Sequence, residues 1–376
     1  MSILSRYLIR QMVGPMVFAT LALTGVIWLT QSLRVIDRIV NQGLPFGSFL
    51  YMTILLLPNI LTMILPIALF GALLFAYNRL FTDSELVVMR AVGWNDWALA
   101  RPALIVAGWV TAIVTVLALW LGPLGLSELR ATQYEFRTNL SAILLQEGVF
   151  NNPSSGLTVY VRQRDPGGEL HGIMVHDNRD PQKPVTIMAE KGALVRTPEG
   201  PRFVMINGNR QQIEQSKHDV GLLYFDSYTL DLRPYLQDDG AGWRDPGERP
   251  LTELLAGDFT TPDDKANASR LTKEAHRRLA APLLVPALTM IALAGVLGGE
   301  FSRRGQNLRL IAAAMGALAV EVAALAANYL AGKSLTMVPL LYAAPLAFAA
   351  GAAFILFRPV RPRRQAAAPV SPAEAA

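Results

Sequence analysis

The chain has no cysteine and little charge. The first absence excludes disulfides, thiolate metal sites and cysteine nucleophiles, and leaves the redox compartment open. Charged residues make up 17% of the 376 positions, against roughly 25% in soluble chains. The shortage is uneven: 22 of the 29 acids and all four histidines lie between Ser127 and Arg278, leaving seven acids for the other 224 residues. A single soluble globule is excluded. The insert carries 19 basic and 22 acidic residues, so the net charge of +5 comes from apolar flanks with 15 basic and seven acidic residues. Nucleic-acid binders cluster basic residues on a folded polar domain; this distribution is that of a membrane protein.

A membrane helix needs about 20 apolar residues. The nearly charge-free runs long enough are Gln11 to Leu33, Ile39 to Asn78, Pro102 to Ser127, Leu279 to Gly299, Leu310 to Gly332 and Ser334 to Phe357. The second opens on a turn-like Asn41-Gln42-Gly43-Leu44-Pro45 and contains Pro58 and Pro66, which predicts one long, bent helix that protrudes from the bilayer. Six spans follow, three on either side of a polar insert. Twelve arginines flank one side, among them Arg6, Arg10, Arg79, Arg90, Arg303 and Arg358, against Arg34, Arg38 and Lys333 on the other. The positive-inside rule then places both termini in the cytoplasm and the insert outside. The first apolar stretch is longer than a signal-peptide core and lacks a small-residue cleavage site, so it is expected to stay as a helix.

Within the insert, Leu157, Val159 and Val161 alternate with polar residues, as do Ile173 with Val175 and Val185 with Ile187. Turn signals stand at Asp165-Pro166-Gly167-Gly168, Asp180-Pro181, Pro198-Glu199-Gly200 and Asn207-Gly208-Asn209. The pattern predicts about eight short antiparallel strands between Val149 and Leu232. Ser127 to Gln146 and Ser269 to Arg278 read as helical extensions of membrane helices, Pro234 to Pro262 as a connector, and Gln365 to Ala376 as a disordered tail.

Three groups of residues stand out. Between spans two and three, Thr82 and Glu85 have capping-box spacing, Gly93 is a helix-ending signal, and Val88, Met89 and Val92 are placed on one face. A short capped helix here would dock a soluble motor subunit; a helix lying on lipid headgroups would show the same pattern. Arg34 and Arg38, one turn apart beside Asp37, suit anionic phosphates, or a pair with Asp37 and simple interfacial anchoring. Glu321 stands mid-span, where a charge costs about 2.5 to 3.5 kcal/mol, with Asn328 on its face. It must meet protein or water, or be protonated. Gly332-Lys333-Ser334 imitates a phosphate loop but has Ala327 where the first glycine belongs and no preceding strand. His171 and His176 lack a supporting acidic constellation, and no serine nucleophile motif occurs.

Several stretches resemble the LptF/LptG permeases of the lipopolysaccharide export system: Arg6-Tyr7-Leu8-Ile9-Arg10, Ile64-Leu65-Pro66-Ile67-Ala68-Leu69-Phe70, Asp83 to Gly93, and the Gly122-Pro123 ending of span three. The resemblance covers residues 1 to 360, and the N-terminus and the Gln31 to Phe46 region are nearer the LptF branch than the LptG branch. It implies an α-helical integral membrane protein of the bacterial inner membrane, with six transmembrane helices around a periplasmic β-jellyroll. The expected domains are a first half over 1–130 with a coupling helix at about 83–93, a β domain over 131–275, a second half over 276–360, and a cytoplasmic tail over 361–376. The implied activity is extraction of lipopolysaccharide by an ABC transporter in which this chain is a non-hydrolytic permease and binds no cofactor. ATP and magnesium would be used by a separate ATPase. The implied partners are the paralogous permease LptG, an LptB ATPase dimer, LptC, the bridge protein LptA and lipopolysaccharide itself. Ser84, Glu85, Leu86, Met89 and Arg90 would then form the ATPase-coupling segment, with Glu85 paired to an ATPase arginine. Spans one and five would form a lateral gate, and Arg34, Arg38 and Glu321 are candidate substrate contacts. Three alternatives stay open: an LptG-type subunit or a permease of another envelope lipid, a mechanotransmitting subunit, and a lipid-modifying enzyme using Glu321 or His276 as base.

Overall fold

The computed structural model describes residues 3–40, 46–140, 147–154, 156–165, 168–178, 183–197, 200–214, 219–231, 243–298 and 303–358. The expected tail over 365–376 and the turn at 41–45 lie outside them. Two compact units are present, one of Met1–Ser32, Leu56–Gly125 and Pro246–Ala376, the other of Leu33–Leu55 and Leu126–Asp245.

Among the described residues, six helices are long and apolar enough to cross a membrane: Ile3–Ser32, Leu57–Thr82, Asp96–Gln133, Ala268–Leu297, Gln306–Lys333 and Leu335–Phe357. A separate antiparallel sheet accompanies them. The expected fold class is therefore the observed one.

Two prolines shape the helices. The run expected as one bent helix is divided into α2 (Phe46–Leu55) and α3 (Leu57–Thr82), with Pro58 in the first turn of α3. A proline is tolerated there because the first helical N–H groups have no partner anyway, so the run holds two helices with Leu56 between them. Pro66 stays inside α3. In the third span, α5 (Asp96–Val116) passes through a π turn at Leu117–Leu121 into α6 (Gly122–Leu140). Pro123 has no N–H to give and its ring crowds the carbonyl four residues back. The Gly122 N–H bonds Leu117 O, five residues back, and the helix continues beyond Gly122-Pro123 rather than ending there.

The core of the helical unit joins Leu8 and Met12 of α1 (Ile3–Val40) to α3, α4 (Glu85–Ala91), α5 and the later helices. Tyr77 is fully buried and donates to Leu99 O at 2.6 Å. The connector after the sheet is partly helical, with a short turn at Pro246–Glu248, α7 (Leu251–Ala256) and α8 (Pro262–Ala266). It is fastened by α9 (Ala268–Ala280). Buried Arg278 donates to the carbonyls of Arg249, Pro246 and Gly247 at 2.7 to 2.8 Å and pairs with Glu274. Arg249, also buried, pairs with Asp264 and Glu253. The second half is completed by α10 (Leu284–Leu297), α11 (Arg303–Lys333) and α12 (Leu340–Phe357).

The sheet runs β1 (Phe150–Ser154), β2 (Leu157–Arg164), β3 (Leu170–Asp177), β4 (Val185–Thr197), β5 (Gly200–Glu214) and β6 (Asp219–Asp231), each strand pairing with the next. Leu157, Val159, Val161, Ile173, Val175 and Ile187 are buried on one face, as the alternation requires. The count among the described residues is six strands, not eight, because β4, β5 and β6 are long. Asn207-Gly208-Asn209 is no turn but the middle of β5, where Asn207 takes φ +52°. Gly208 has no side chain because Met188 O and the Phe225 ring occupy the place a Cβ would take.

Removing Arg278 takes one donor from three carbonyls and one of the two arginine partners from Glu274, and breaking a buried pair typically costs about 3 to 5 kcal/mol. Arg278→Ala should lower the thermal unfolding midpoint of the purified protein by several degrees, whereas Arg277→Ala, whose side chain is 44% exposed, should have a much smaller effect.

Candidate functional site

The seven-residue helix α4 is too short to be stable alone, and three devices hold it. Leu86 and Met89, one turn apart, are buried in the core with Leu8, Tyr77, Leu80 and Val296. Arg90 Nη2 donates to Asp96 Oδ1 at 2.8 Å and to Leu297 O, the last carbonyl of α10, at 2.9 Å. Gly93, at φ +96°, lets the chain turn so that its N–H reaches Arg90 O and the Trp94 N–H reaches Met89 O. That pair of bonds is the Schellman ending favoured by glycine.

The start of α4 differs from the expected capping box. Thr82 belongs to the end of α3 and donates to Asn78 O, while Ser84 precedes α4 at φ +62° without a side-chain cap. Glu85 accepts from the Tyr7 hydroxyl at 3.1 Å, and Gln11 Nε2 donates to Tyr7. Met89 does not share the face of Val88 and Val92. It points inward, whereas Val88 and Val92 are 62% and 76% exposed. Of the proposed coupling residues, Leu86, Met89 and Arg90 therefore seat the helix. Its outer surface is Val88, Ala91 and Val92 with Val87 beside them, and the half-buried Glu85 sits at its start. Trp94 packs against the same core, and the Trp97 ring meets Phe357 at a tilt of 53° with ring centres 5.6 Å apart.

Arg34 and Arg38 fall in the final turns of α1, and their side chains lie outside the described residues. Glu321 is half-buried in the middle of α11, and no hydrogen bond or ion pair to its carboxyl is found among the described residues. Asn328 Oδ1 is shielded and unpaired on the same helix. Sequence reasoning missed a comparable stripe on α1. Thr20, Thr24, Trp28 and Ser32, spaced four apart, each carry a shielded polar atom without a partner among the described residues. That spacing was visible as a polar line on an otherwise apolar helix.

His171 and His176 lie on β3 on either side of Gly172, whose φ of +61° breaks the alternation of the strand. His171 meets Asp165 at 3.0 Å, with Glu169 close by and Lys191 3.4 Å from Glu169. His176 bonds Thr186 at 2.9 Å. His276 bonds the Tyr342 hydroxyl at 3.0 Å, and Lys333 lies over the Tyr329 ring.

Residues 6–359 match the family model described as lipopolysaccharide export system permease LptF/LptG. The chain belongs to that family. It is 25% identical over 336 residues to an uncharacterized protein, RP871, of Rickettsia prowazekii, covering 89% of this chain and 92% of that one. It is 24% identical over 229 residues to the lipopolysaccharide export system permease protein LptF of Escherichia coli K12, covering 60% of this chain and 63% of that one. The same identity and coverage hold for LptF of Shigella flexneri. Family membership makes the chain a membrane permease, a transport subunit rather than a hydrolytic enzyme, which agrees with its six apolar helices.

Charge-assisted hydrogen bonds are worth about 1.5 to 3 kcal/mol, so loss of the Arg90 bridge should raise the local opening of α4 by about tenfold or more. Arg90→Ala should accelerate amide exchange over residues 85–92 by that factor, while Val88→Asp, an outward change, should leave it unaltered.

Proposed function

We propose that the chain is the LptF-type permease of an ATP-driven transporter that takes lipopolysaccharide from the outer leaflet of the inner membrane and hands it to a periplasmic bridge. The observation that carries the motor part is the outward apolar face of α4 on a helix whose other face is fixed. A cytoplasmic LptB dimer would cover Val87, Val88 and Val92 and meet Glu85, while Leu86, Met89 and Arg90 pass the load inward. Ser84, in a left-handed conformation at the helix start, sets the angle at which α4 leaves α3.

Pairing with an LptG-type paralogue is supported by how little of the first span is covered. Only 6% of the apolar window of Ile3–Ser32 is buried, against 56% for Ala268–Leu297. Met315, Leu318, Val322 and Leu325 on α11 are also exposed. Spans one and five thus leave apolar faces free to meet partners, as a lateral gate between two permeases requires. Their unpaired groups, Glu321 and Asn328 on one and the Thr20 to Ser32 line on the other, would find partners there. Arg34 and Arg38 would meet lipid A phosphates. In this arrangement both termini are cytoplasmic, residues 131–275 are periplasmic and contact LptC and LptA, and 1–130 and 276–360 form the two transmembrane halves.

The LptF assignment over LptG rests on the named relatives that match. The chain itself would need no cofactor, ATP and magnesium being bound by the partner ATPase.

Glu85→Lys and Val88→Asp should each lower co-purified ATPase by about tenfold, the loss of one good interface anchor. Unchanged ATPase stoichiometry in both variants would overturn the docking role. Photo-crosslinkers at positions 34 and 38 should capture lipopolysaccharide; capture of phospholipid alone would remove these residues from the substrate path.

A further inference from the structure

Three helices of the second half, α10, α11 and α12, leave an open groove of about 1130 Å³ between them. Its walls are small or apolar, with Gly295, Ile291, Gly316, Phe348 and Gly351 among them, and two arginines line it, Arg309 of α11 and Arg358 at the end of α12. No acidic residue lines it among the described residues. Neither guanidinium is paired with a carboxylate among those residues; Arg358 rests only over the Phe354 ring, at 5.9 Å. Two cations beside an apolar trough in a membrane protein call for an anion that carries its own apolar portion.

The dimensions select among occupants. Ala347 and Arg358 bound the groove along α12, and eleven residues of helix rise about 16 Å. The hydrocarbon core is about 30 Å thick, so the groove spans one leaflet and not the bilayer, too short for a transmembrane helix of a partner. The end of this chain has the wrong sign, since Arg361, Arg363 and Arg364 follow Arg358. We propose that this groove binds one anionic glycerophospholipid of the adjoining leaflet, its phosphate held by Arg309 and Arg358 and one acyl chain lying along Ile291 and Phe348. Arginine suits the headgroup because its planar fork binds phosphate oxygens in pairs. The site is separate from the proposed substrate contacts and does not depend on what the permease exports.

Gly351 supplies a test that leaves the arginines in place. A Cβ built there meets nothing within 4 Å, so Gly351→Phe starts from open space and puts its ring into the trough. The full-length protein, purified with its co-purifying partners, is titrated with phosphatidylglycerol and bound lipids are counted by native mass spectrometry. The expected result is one retained phosphatidylglycerol, with retention lowered about tenfold by Arg309→Gln with Arg358→Gln, and equally by Gly351→Phe at an unchanged unfolding midpoint. Should the arginine pair fail to fold, Gly351→Phe decides alone. Retention unaffected by Gly351→Phe, equal retention of phosphatidylethanolamine, or displacement by inorganic phosphate alone would overturn the proposal. So would a photo-crosslinker at Ile355 that captures a protein or lipopolysaccharide instead of phospholipid.

Discussion

The helical unit is organised around fourteen residues, Leu284–Leu297. This helix, α10, packs against α3 and α5 of the first half and against α11 and α12 of the second. It can do so because its contact positions are small. Ala287 and Ala292 are buried, and Gly295 stands where any side chain would strike Ala313 of α11. In lipid there is little hydrophobic drive between helices, so close backbone approach and dispersion must supply the association. The halves on either side of the β insert are therefore joined by shape. A larger residue at 295 would separate α10 from α11 and weaken the contact that holds the second half together.

Charge is spent sparingly in this protein, and the arginines divide into distinct uses. Arg90, Arg249 and Arg278 turn inward and saturate carbonyls and carboxylates, closing loops that apolar packing alone could not define. Their cost in desolvation is offset by the bonds they donate, most fully at Arg278, whose Nε, Nη1 and Nη2 all donate. Arg309 and Arg358 are not of this kind, for they border open space with no carboxylate lining it among the described residues. Sequence alone counted Arg90, Arg309 and Arg358 together on one positive side and left Arg249 and Arg278 among the charges of the insert.

The six spans and the all-β insert were legible because both depend on composition and period, which short windows carry. The inward face of the sheet could be named residue by residue from alternation. What failed depended on backbone details. The run around Pro58 was read as one helix, although a proline serves equally as a helix start. Asn207-Gly208-Asn209 was read as a turn, although its glycine answers to Phe225 on the next strand, 17 residues away. Met89 was assigned to the face of Val88 and Val92, and a seven-residue helix offers too few turns for periodicity to tell the seated face from the free one. Arg90 was visible as a charge near Glu85, but its bond to the end of α10 joins positions 207 apart in sequence.

The seat of α4 also limits how a load can travel. A helix of seven residues has little stability of its own, so anything that binds its outer face acts on the contacts beneath it. Those contacts are two side chains in the core and one arginine on the last carbonyl of α10. A pull on Val88 and Val92 is thus delivered to α10, and α10 touches every long helix of the second half as well as α3 and α5. Packed interiors shift between discrete arrangements and do not stretch. A displacement at α4 must therefore be passed on as movement of whole helices, and α1, the least covered of the six, has the least packing in this chain to oppose it.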